Sequence, residues 1–523
     1  MNSLRKQRHA HHAWRWVTTL VVVSAVLAVT ATVLPLYAQE PVFLPLIEGA
    51  PLATATPTAQ PTAQPTAQAT ATPSPTPGPG TTPTAQPSPQ PTRATTTGGL
   101  PLIHVAPLER NDVLDQASVF WFGQVSRSSN GVDVRIGYTA SELVVYVAIF
   151  DRRLWYDETP TIATLTDWDA VTLLLARPAT SATPEQRWRI TAQMNFSATP
   201  DAAKRVEEWS NGAWAPSSLA VAATSGWRGE RLNDDADDRG WVETLRIPLD
   251  ALGLPAPREG AFLRMGLLVH DVDERNGPLV ETQMWPAGVS ATNVATWGML
   301  QIGAPQWYPP AIQPSGETTI RRAKVQDATV PDAGVGGTTG NLCGDNTPSF
   351  WEVWPNTNWG DEADANVQNQ IDIADWPCYS RYYVTFALES VPAGKTIVGA
   401  TLTLHQYGNS GTYDLAQPSY LQVLRAGGAW NEGTITWNNA PQALENVSAM
   451  WVTPVQSAPP WPGIAWSWEV GKAVADAYAE GQPVRLVLYS ADSNYHSGKL
   501  FVTSDTGDWN VAGRPTLRVV WGE

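Results

Sequence analysis

The sequence predicts an all-β fold, with two antiparallel β-sandwiches of jelly-roll-like form in tandem. Short apolar segments recur from residue 100 to the end of the chain, where they alternate with polar residues at a period of two, the period of a strand. Helical periodicity is almost absent from this region. The chain has 523 residues, 43% of them hydrophobic, so it is long enough to bury two cores. Repeated strands with polar connections are typical of sandwiches.

The chain begins with a basic segment, residues 1–16, followed by an uncharged apolar run over residues 17–36. Leu36-Tyr37-Ala38 then offers a small-residue cleavage site, so residues 1–38 are predicted to be a signal peptide. The run is also about as long as a membrane-spanning helix, which leaves an uncleaved N-terminal anchor open. In both cases we expect the remainder to be secreted or held at the cell surface, with membrane contact only through this segment.

Residues 39–99 are predicted to be a disordered linker. From residue 50 onward the segment is mainly Pro, Thr, Ala and Gln with repeated PTAQ units, and its one charged residue is Arg93. A segment with so few bulky apolar side chains cannot form a core. Its proline content favours extended polyproline II, so it would act as a semi-rigid spacer.

Residues 100–303 are predicted to form the first sandwich. Residues 132–138 alternate between apolar and polar, and residues 143–150 are almost entirely apolar, which predicts a strand covered on both faces. Further strands are predicted at residues 170–175, 187–194, 240–247, 262–270 and 296–302.

A proline-rich stretch, residues 304–316, is predicted to link the first sandwich to a second one over residues 317–523. Apolar residues recur at helical spacing over residues 470–478, before Gly481 and Pro483, and predict one helix that caps the sandwich or crosses between its sheets. Strands are predicted at residues 381–388, 397–407, 420–425, 484–489, 499–504 and 516–521.

Charge and cysteine content bear on the partners and on a disulfide. The formal net charge is -16 and Lys and Arg are not clustered, so a phosphate backbone would be repelled and no nucleic-acid partner is expected. The two cysteines, Cys343 and Cys378, are expected to form a disulfide in an oxidising compartment, worth about 3 kcal/mol through the unfolded state. We expect the protein to be a monomer.

Motifs for catalysis are missing: the sequence contains no HExxH, no GxSxG and no GxxxxGK[ST]. Acid pairs exist, but 49 carboxylates make chance pairs common, so we expect binding modules, no enzyme activity and no required cofactor. Two acidic loops, NDDADD at residues 233–238 and HDVDE at residues 270–274, either are solvated turns or hold a structural calcium ion. The candidate calcium ligands are Asp234, Asp235, Asp237, Asp271 and Asp273.

Tryptophans are the most informative residues, because an indole face packs against the C–H face of a sugar ring without any charge. Burial is the alternative for each of the 25 tryptophans, so those next to turn residues at strand ends deserve preference. In the first sandwich these are Trp155, Trp168 and Trp285. In the second, a Trp-rich and Asn-rich stretch between the cysteines predicts a sugar platform or a small satellite core, formed by Trp351, Trp354, Trp359 and Trp376.

The first sandwich resembles the family 9 carbohydrate-binding modules and their DOMON-like relatives, through SELVVYVAIFDRRLWYDE, TDWDAVTLLL, MGLLVHDVDE and MWPAGVSATNVATWGMLQI. That family is a β-sandwich that binds sugar chain ends between two tryptophans, commonly with calcium in its loops. The resemblance implies a clamp of Trp285 with Trp168 or Trp155. It also implies polar contacts from Asp167, Asp169 and Asp271. Some DOMON relatives hold haem, for which His270 with Met194, Met265 or Met284 would be the ligands, although core positions explain these residues more simply.

The second sandwich resembles the DNRLRE domains, which include the family 96 carbohydrate-binding modules, through SRYYVTFALESVPAGKTIVGATLTLHQYG, AWNEGTITWNNAP and WEVGKAVADAYAEGQPVRLVLYS. Since AWNEGTITWNNAP belongs to the recurring framework of that family, we interpret its two tryptophans as mostly structural.

Together these features predict a secreted, non-catalytic protein whose tandem sandwiches bind extracellular or cell-wall polysaccharide, or a cell-surface glycan. Two modules on one polymer would gain apparent affinity through the effective concentration that their link sets. A structural cell-surface protein or adhesin with protein partners is the main alternative. An accessory part of a polysaccharide-degrading system is a further one.

Overall fold

Strands β1 to β13 form the first sandwich, as two sheets with a core between them. Sheet I has the order β8-β7-β6-β5-β11, with β12 and β13 both beyond β11 and β1 parallel to β13. Sheet II has the order β9-β10-β4-β3-β2. The strands are β1 Leu102–Pro107, β2 Ser118–Ser126, β3 Ser129–Tyr138, β4 Glu142–Phe150, β5 Ala170–Arg177, β6 Gln186–Gln193, β7 Lys204–Ser210, β8 Ala213–Pro216, β9 Ala222–Arg228, β10 Gly240–Pro248, β11 Phe262–Asp271, β12 Glu281–Trp285 and β13 Gly298–Ile302.

Strands β14 to β24 form the second sandwich in the same way. Sheet III has the order β15-β17-β22-β19-β20. Sheet IV has the order β14-β24-β18-β23-β16, with β21 also paired to β18. The elements are β14 Pro314–Ile320, β15 Asp332–Gly336, β16 Asp364–Val367, β17 Ser380–Phe386, β18 Thr396–Asn409, β19 Ser419–Ala426, β20 Ala443–Val452, β21 Ile464–Glu469, α1 Gly471–Ala479, β22 Val484–Ser490, β23 Lys499–Val502 and β24 Thr516–Gly522.

These elements come from a computed structural model, which describes residues 99–523 except 182, 197–199, 255, 257–258, 328, 338–348, 370–378 and 492–495. The predicted leader and the linker up to residue 98 lie outside the described residues, as do Cys343, Cys378 and Trp376. No helix within the described ranges is long and apolar enough to cross a membrane.

The all-β prediction is confirmed, and most predicted strands are present. Helix α1 buries Ala473, Val474 and Ala477, and it connects β21 of sheet IV to β22 of sheet III, so it crosses between the sheets as expected. The strands that sequence reasoning missed include short or half-exposed ones, such as the β7 and β8 hairpin, and also the longer β2 and β20. Strand β14 starts at Pro314, inside the stretch predicted as a linker.

The two sandwiches pack directly against each other through sheets II and III. In β4, Val145 and Val147 point into the first sandwich, while Val144 and Tyr146 point into a second cluster shared with Val487 of β22. We call this shared cluster the inter-sandwich core. It explains why residues 143–150 are apolar on both faces, since the second sandwich covers the outer face.

Hydrogen bonds also join the sandwiches. The side-chain amide of Asn438 accepts from the N–H of Val125 at 2.8 Å and donates to its carbonyl at 3.0 Å. The amide of Gln422 donates to the carbonyl of Ala117 at 2.7 Å. All described residues fall in one compact unit, so the sandwiches form a single body and are not separate modules on a flexible link.

Candidate functional site

The tryptophans predicted as a sugar platform in the second sandwich are mostly internal. Trp351 is 1% exposed and Trp354 is 0% exposed, and both belong to the inter-sandwich core. Trp354 stacks on Phe350 with ring centroids 5.8 Å apart, and it lies 4.7 Å from the ring of Trp437. A ring covered on both faces cannot stack on a sugar, so the platform prediction is wrong for Trp351 and Trp354.

Trp359 lies nearer the surface but is held by its own sandwich. It is half-buried, and its indole N–H donates to the carbonyl of Gly336 at 3.0 Å. Its backbone pairs with Gly334 in β15. Trp359 therefore fixes the segment after residue 349 to sheet III. Trp376, the fourth predicted member, is outside the described residues.

The clamp predicted for the first sandwich lacks a second open face. Trp155 and Trp285 are both buried, and Trp285 packs on Phe120 with ring centroids 4.3 Å apart. Trp168 is half-buried and follows a short 3-10 helix, Leu165–Asp167. Since Trp155 and Trp285 are both buried, neither can close on a sugar from the side opposite Trp168.

The aspartates predicted beside that clamp divide into two kinds. Asp167 is exposed, whereas Asp169 is fully buried. The carboxylate of Asp169 accepts from the backbone N–H of Trp155 at 2.7 Å and of Val272 at 3.0 Å. Asp169 thus ties the loop after β4 to the loop after β11, and it is not available as a surface contact.

A group of acidic residues gathers where β4 and β11 end. Asp151, Asp271 and Asp273 each offer a carboxylate oxygen, and these oxygens lie within 4.8 Å of one another. Asp169 is close enough for its charge to act on Asp151. We call these four residues the carboxylate cluster.

Burial dominates the electrostatics of the carboxylate cluster. It raises the pKa of Asp151 and of Asp169 well above the ordinary value, and the neighbouring carboxylates raise both further. Burial and the charge of Asp273 raise the pKa of Asp271 to about 7. Oδ2 of Asp151 and Oδ1 of Asp271 are buried and have no hydrogen-bond partner among the described residues. Unsatisfied, converging carboxylate oxygens fit a hard divalent cation, which would keep them ionised.

The five predicted calcium ligands therefore fall into two groups. Asp271 and Asp273 belong to the carboxylate cluster, but the residues of the NDDADD loop are used elsewhere. Asp237 pairs with Arg152 at 2.9 Å and with Arg153 at 3.4 Å. Oδ1 of Asp234 accepts from the N–H of Ala236, and its Oδ2 lies 3.4 Å from Arg231. Asp235 is exposed. Among the described residues, none of these three aspartates belongs to a group of side chains that could hold a metal ion.

A second acidic group lies in the second sandwich and already has its cation. Carboxylate oxygens of Asp332, Glu432 and Asp505 lie within 4.8 Å of one another. The guanidinium of Arg322 lies 2.6 Å from Glu432 and 2.8 Å from Asp505. We interpret this group as a structural ion-pair network that holds the turn at Glu432 against sheet III.

The described surface has one cluster of tryptophans that face solvent together, and it lies on the second sandwich. Trp461 is 53% exposed and Trp509 is 68% exposed. Their ring centroids are 5.1 Å apart at an interplanar angle of 86°, and Tyr407 stacks on Trp461 at 5.7 Å and 27°. We call these three residues the aromatic ridge. The two perpendicular indoles form an open corner, in which one face can carry a pyranose ring while the other contacts its edge.

Tyr407 is held by strand β18 and by a neighbouring carboxylate. Its hydroxyl bonds to Asp364 of β16, and burial together with that contact raises the pKa of Tyr407 above its ordinary value. Even-numbered Leu402 and Leu404 face the core of the sandwich. Tyr407 therefore points to the outer face of sheet IV, as do Thr403 and His405 of the same strand.

Glycines allow both tryptophans of the aromatic ridge to lie close to the backbone. Trp461 is in the turn before β21, where Gly463 has a φ of +102° and an added Cβ would lie 2.6 Å from the carbonyl of Gln406. Trp509 is the second residue of a short 3-10 helix, Asp508–Gly513, and an added Cβ on Gly507 would lie 2.7 Å from the indole of Trp509.

The aromatic ridge continues into a polar sheet face. On the outer face of sheet IV, the hydroxyls of Thr403 and Ser467 bond to each other at 2.9 Å. His405 is half-buried on the same strand as Tyr407. Hydroxyl and imidazole groups beside exposed rings can bond the hydroxyls of a sugar.

Sequence reasoning missed the aromatic ridge although a signal existed. Trp461 stands in PPWPG and Trp509 in GDWN, so both adjoin turn residues, which is the criterion that selected the other candidates. Their proximity is the decisive feature, and it depends on the pairing of β18 with β21 and β24.

Comparison with known families identifies one segment. Residues 352–509 match the model of Carbohydrate-binding module family 96. The match covers less than a third of the chain and includes Tyr407, Trp461 and Trp509. The predicted family 96 resemblance of the second sandwich is thereby confirmed.

Solved structures that are similar to this chain include family 9 modules. A family 9 module from Caldicellulosiruptor kristjanssonii in complex with cellotriose has 15% identity and a TM-score of 0.27, covering 41% of this chain and 99% of that one. Its complex with glucose has 16% identity and a TM-score of 0.26, with coverage of 40% and 100%. A protein from Bacteroides uniformis ATCC 8492 to which carbohydrate binding has been ascribed has 13% identity and a TM-score of 0.31, with coverage of 39% and 99%. No curated protein sequence is significantly similar to this chain.

Proposed function

We propose that this chain is a secreted, non-catalytic carbohydrate-binding protein, and that the aromatic ridge is its contact with polysaccharide. One observation carries the proposal: an open corner of two exposed indoles lies inside the segment that matches a carbohydrate-binding module family. Exposed, fixed aromatic faces beside hydroxyl groups are what sugar recognition requires. The apolar leader and the Pro/Thr-rich spacer predicted from the sequence support export and presentation away from the cell.

The test is a binding measurement on immobilised and soluble polysaccharides with the whole chain. Replacing Trp461 and Trp509 together by Ala should weaken binding about tenfold or more, because buried indole contacts are typical hot spots. Trp451→Ala is the matched control, since Trp451 is also exposed but packs on Tyr420, outside the aromatic ridge.

Two outcomes would contradict the proposal. If the unmodified chain binds no polysaccharide, the structural cell-surface alternative gains support. If Trp451→Ala weakens binding as much as the double variant does, the contact is elsewhere. Release of reducing sugar by the purified chain would contradict the non-catalytic part.

We also propose that the carboxylate cluster holds a structural calcium ion. The ion would supply positive charge and several coordination bonds between the loops after β4 and β11. Calcium should then raise the unfolding temperature of the chain, and Asp271→Asn should remove most of that rise. Asp235→Asn is a control at an exposed carboxylate. An unfolding temperature that does not respond to calcium would contradict this site.

A further inference from the structure

A cleft of about 320 Å³ opens between the two sandwiches, on one side of the inter-sandwich core. The first sandwich contributes residues of β2, β3 and β12 and the turn after Trp285. The second contributes Arg381 of β17 and the segment from Trp437 to Gln442. We call it the inter-sandwich cleft. It exists only because the sandwiches are fixed against each other, and it is separate from the aromatic ridge, none of whose residues lines it.

The lining of the inter-sandwich cleft differs in charge from the rest of the protein. The chain has a net charge of -16, yet among the described residues no carboxylate lines this cleft, and Arg381 is the one charged side chain that does. Amides supply most of the remaining polar groups, and each can both donate and accept a hydrogen bond. The lining amides are Gln124, Gln283, Asn438 and Gln442.

Arg381 is placed in an unusual way. Its guanidinium carbon lies 3.9 Å from the ring centroid of Trp121 and 3.6 Å from that of Trp437, so the two indoles enclose it. The side chain is buried, and its Nε–H has no acceptor among the described residues.

Arg381 shares a buried carboxylate with a second guanidinium. Asp133 lies 3.6 Å from Arg381 and also 3.6 Å from Arg135, and all three side chains are buried. Among the described residues that line the inter-sandwich cleft, the charged side chain is this cation, Arg381. A cation is therefore disfavoured as the occupant, and a ligand rich in acceptor oxygens is favoured.

We propose that the inter-sandwich cleft is a second ligand site, which binds a hydroxyl-rich sugar of one or two rings, a monosaccharide or a disaccharide. Arg381 attracts acceptor oxygens of the ligand through its charge, the glutamine amides of the lining bond the outer hydroxyls, and Trp437 supplies an apolar wall. The volume is at the lower end for ligand sites, which suits a small ligand and excludes a bulky one. The ligand class rests on the proposed function, but the site and its residues do not.

The test uses saturation-transfer NMR on the whole chain with a panel of glucose, galactose, mannose, glucuronic acid and cellobiose. All measurements are made in the Trp461→Ala, Trp509→Ala background, so that signal from the aromatic ridge does not contribute. Ala287 is exposed on the rim of the inter-sandwich cleft, so Ala287→Trp should fill the opening without disturbing a core. Gln283→Ala removes one lining amide.

We expect at least one sugar of the panel to give a signal, Ala287→Trp to abolish it, and Gln283→Ala to reduce it severalfold. Ala220→Trp is the matched control, because Ala220 is exposed, lies outside the inter-sandwich cleft and should leave the signal unchanged. A signal from glucuronic acid alone would show that the inter-sandwich cleft binds an acidic sugar. A signal from the neutral sugars would show that it binds a neutral sugar.

The proposal is overturned if no sugar of the panel gives a signal, or if Ala287→Trp leaves the signal intact. Because the aromatic ridge is absent from this background, either result leaves polysaccharide binding by the ridge untouched. Conversely, if the aromatic ridge binds no polysaccharide, a sugar signal that Ala287→Trp abolishes would still support a site in the inter-sandwich cleft.

Discussion

Arg381 is the residue on which the contact between the sandwiches most depends. Its guanidinium is enclosed by Trp121 and Trp437 and shares Asp133 with Arg135. Removing one member of such a buried network leaves charge without its partner, at a cost of about 3 to 5 kcal/mol. We expect Arg381→Ala to lower the free energy of unfolding by about that amount, as measured by chemical denaturation.

Arg518 provides the control for this prediction. It pairs with Glu317 on the surface, where both side chains are more than half exposed. Exposed pairs contribute about 0 to 1 kcal/mol, so Arg518→Ala should change stability little. Equal effects of the two substitutions would show that Arg381 is not a structural centre.

The carboxylate cluster gives the protein a pH dependence whose sign follows from the raised pKa values. In the metal-free chain, Asp271 holds its proton up to a pKa of about 7, because it is buried beside other carboxylates. An unfolded aspartate releases its proton near pH 4. Between those values the folded state binds more protons, so stability falls as pH rises from about 4 to about 7.

We therefore expect the metal-free chain to unfold at a higher temperature at pH 5 than at pH 7.5. Asp271→Asn should reduce this difference, because the substituted amide does not titrate. Added calcium should reduce it as well, by stabilising the ionised cluster at the higher pH. A metal-free chain that becomes more stable toward pH 7.5 would contradict the burial of these carboxylates.

At the scale of elements, the turn before β21 decides where Trp461 points. Gly463 has a positive φ, and an added Cβ would press on the carbonyl of Gln406. Gly463→Ala should therefore move the turn and weaken polysaccharide binding at the aromatic ridge severalfold. Gly481→Ala is the matched control, since Gly481 also has a positive φ but has open space around it. Equal polysaccharide binding by the two variants would show that the position of Trp461 does not affect binding of the ligand.

Strand β4 shows what a sequence pattern can predict about the fold and what it cannot. Its unbroken apolar run predicts a strand covered on both faces, and the structure has such a strand. The run does not say what covers the outer face, because apolar side chains pack equally well on any apolar partner. Contact with the second sandwich depends on pairings of residues some 300 positions apart, which a local pattern does not encode.

The same limit explains the tryptophan predictions. A position next to turn residues selects loops, but it does not separate rings that close an internal contact from rings that face water. Trp354 and Trp461 both adjoin proline in the sequence, yet one is buried between the sandwiches and the other is exposed. The sequence predicted the all-β framework, but not which rings are open.

At the scale of the whole molecule, the inter-sandwich core should make the two sandwiches unfold together. Leu424 of β19 is fully buried in this contact, together with Val487 and Tyr489 of β22. Burial of so much apolar surface couples the two stabilities, whereas domains on a flexible link would unfold separately. We expect differential scanning calorimetry of the chain to give one cooperative transition with an enthalpy that corresponds to both sandwiches.

A charge placed in that contact should uncouple them. Leu424→Asp buries an unpaired carboxylate between sheets II and III, so we expect the single transition to split into two or to shift strongly downward. Leu415→Asp is the matched control, because Leu415 is 51% exposed and its substitution leaves the contact intact. Two separate transitions in the unmodified chain would show that the sandwiches behave as independent modules. The walls of the inter-sandwich cleft would then not be fixed relative to each other, and we would expect the cleft to bind no sugar.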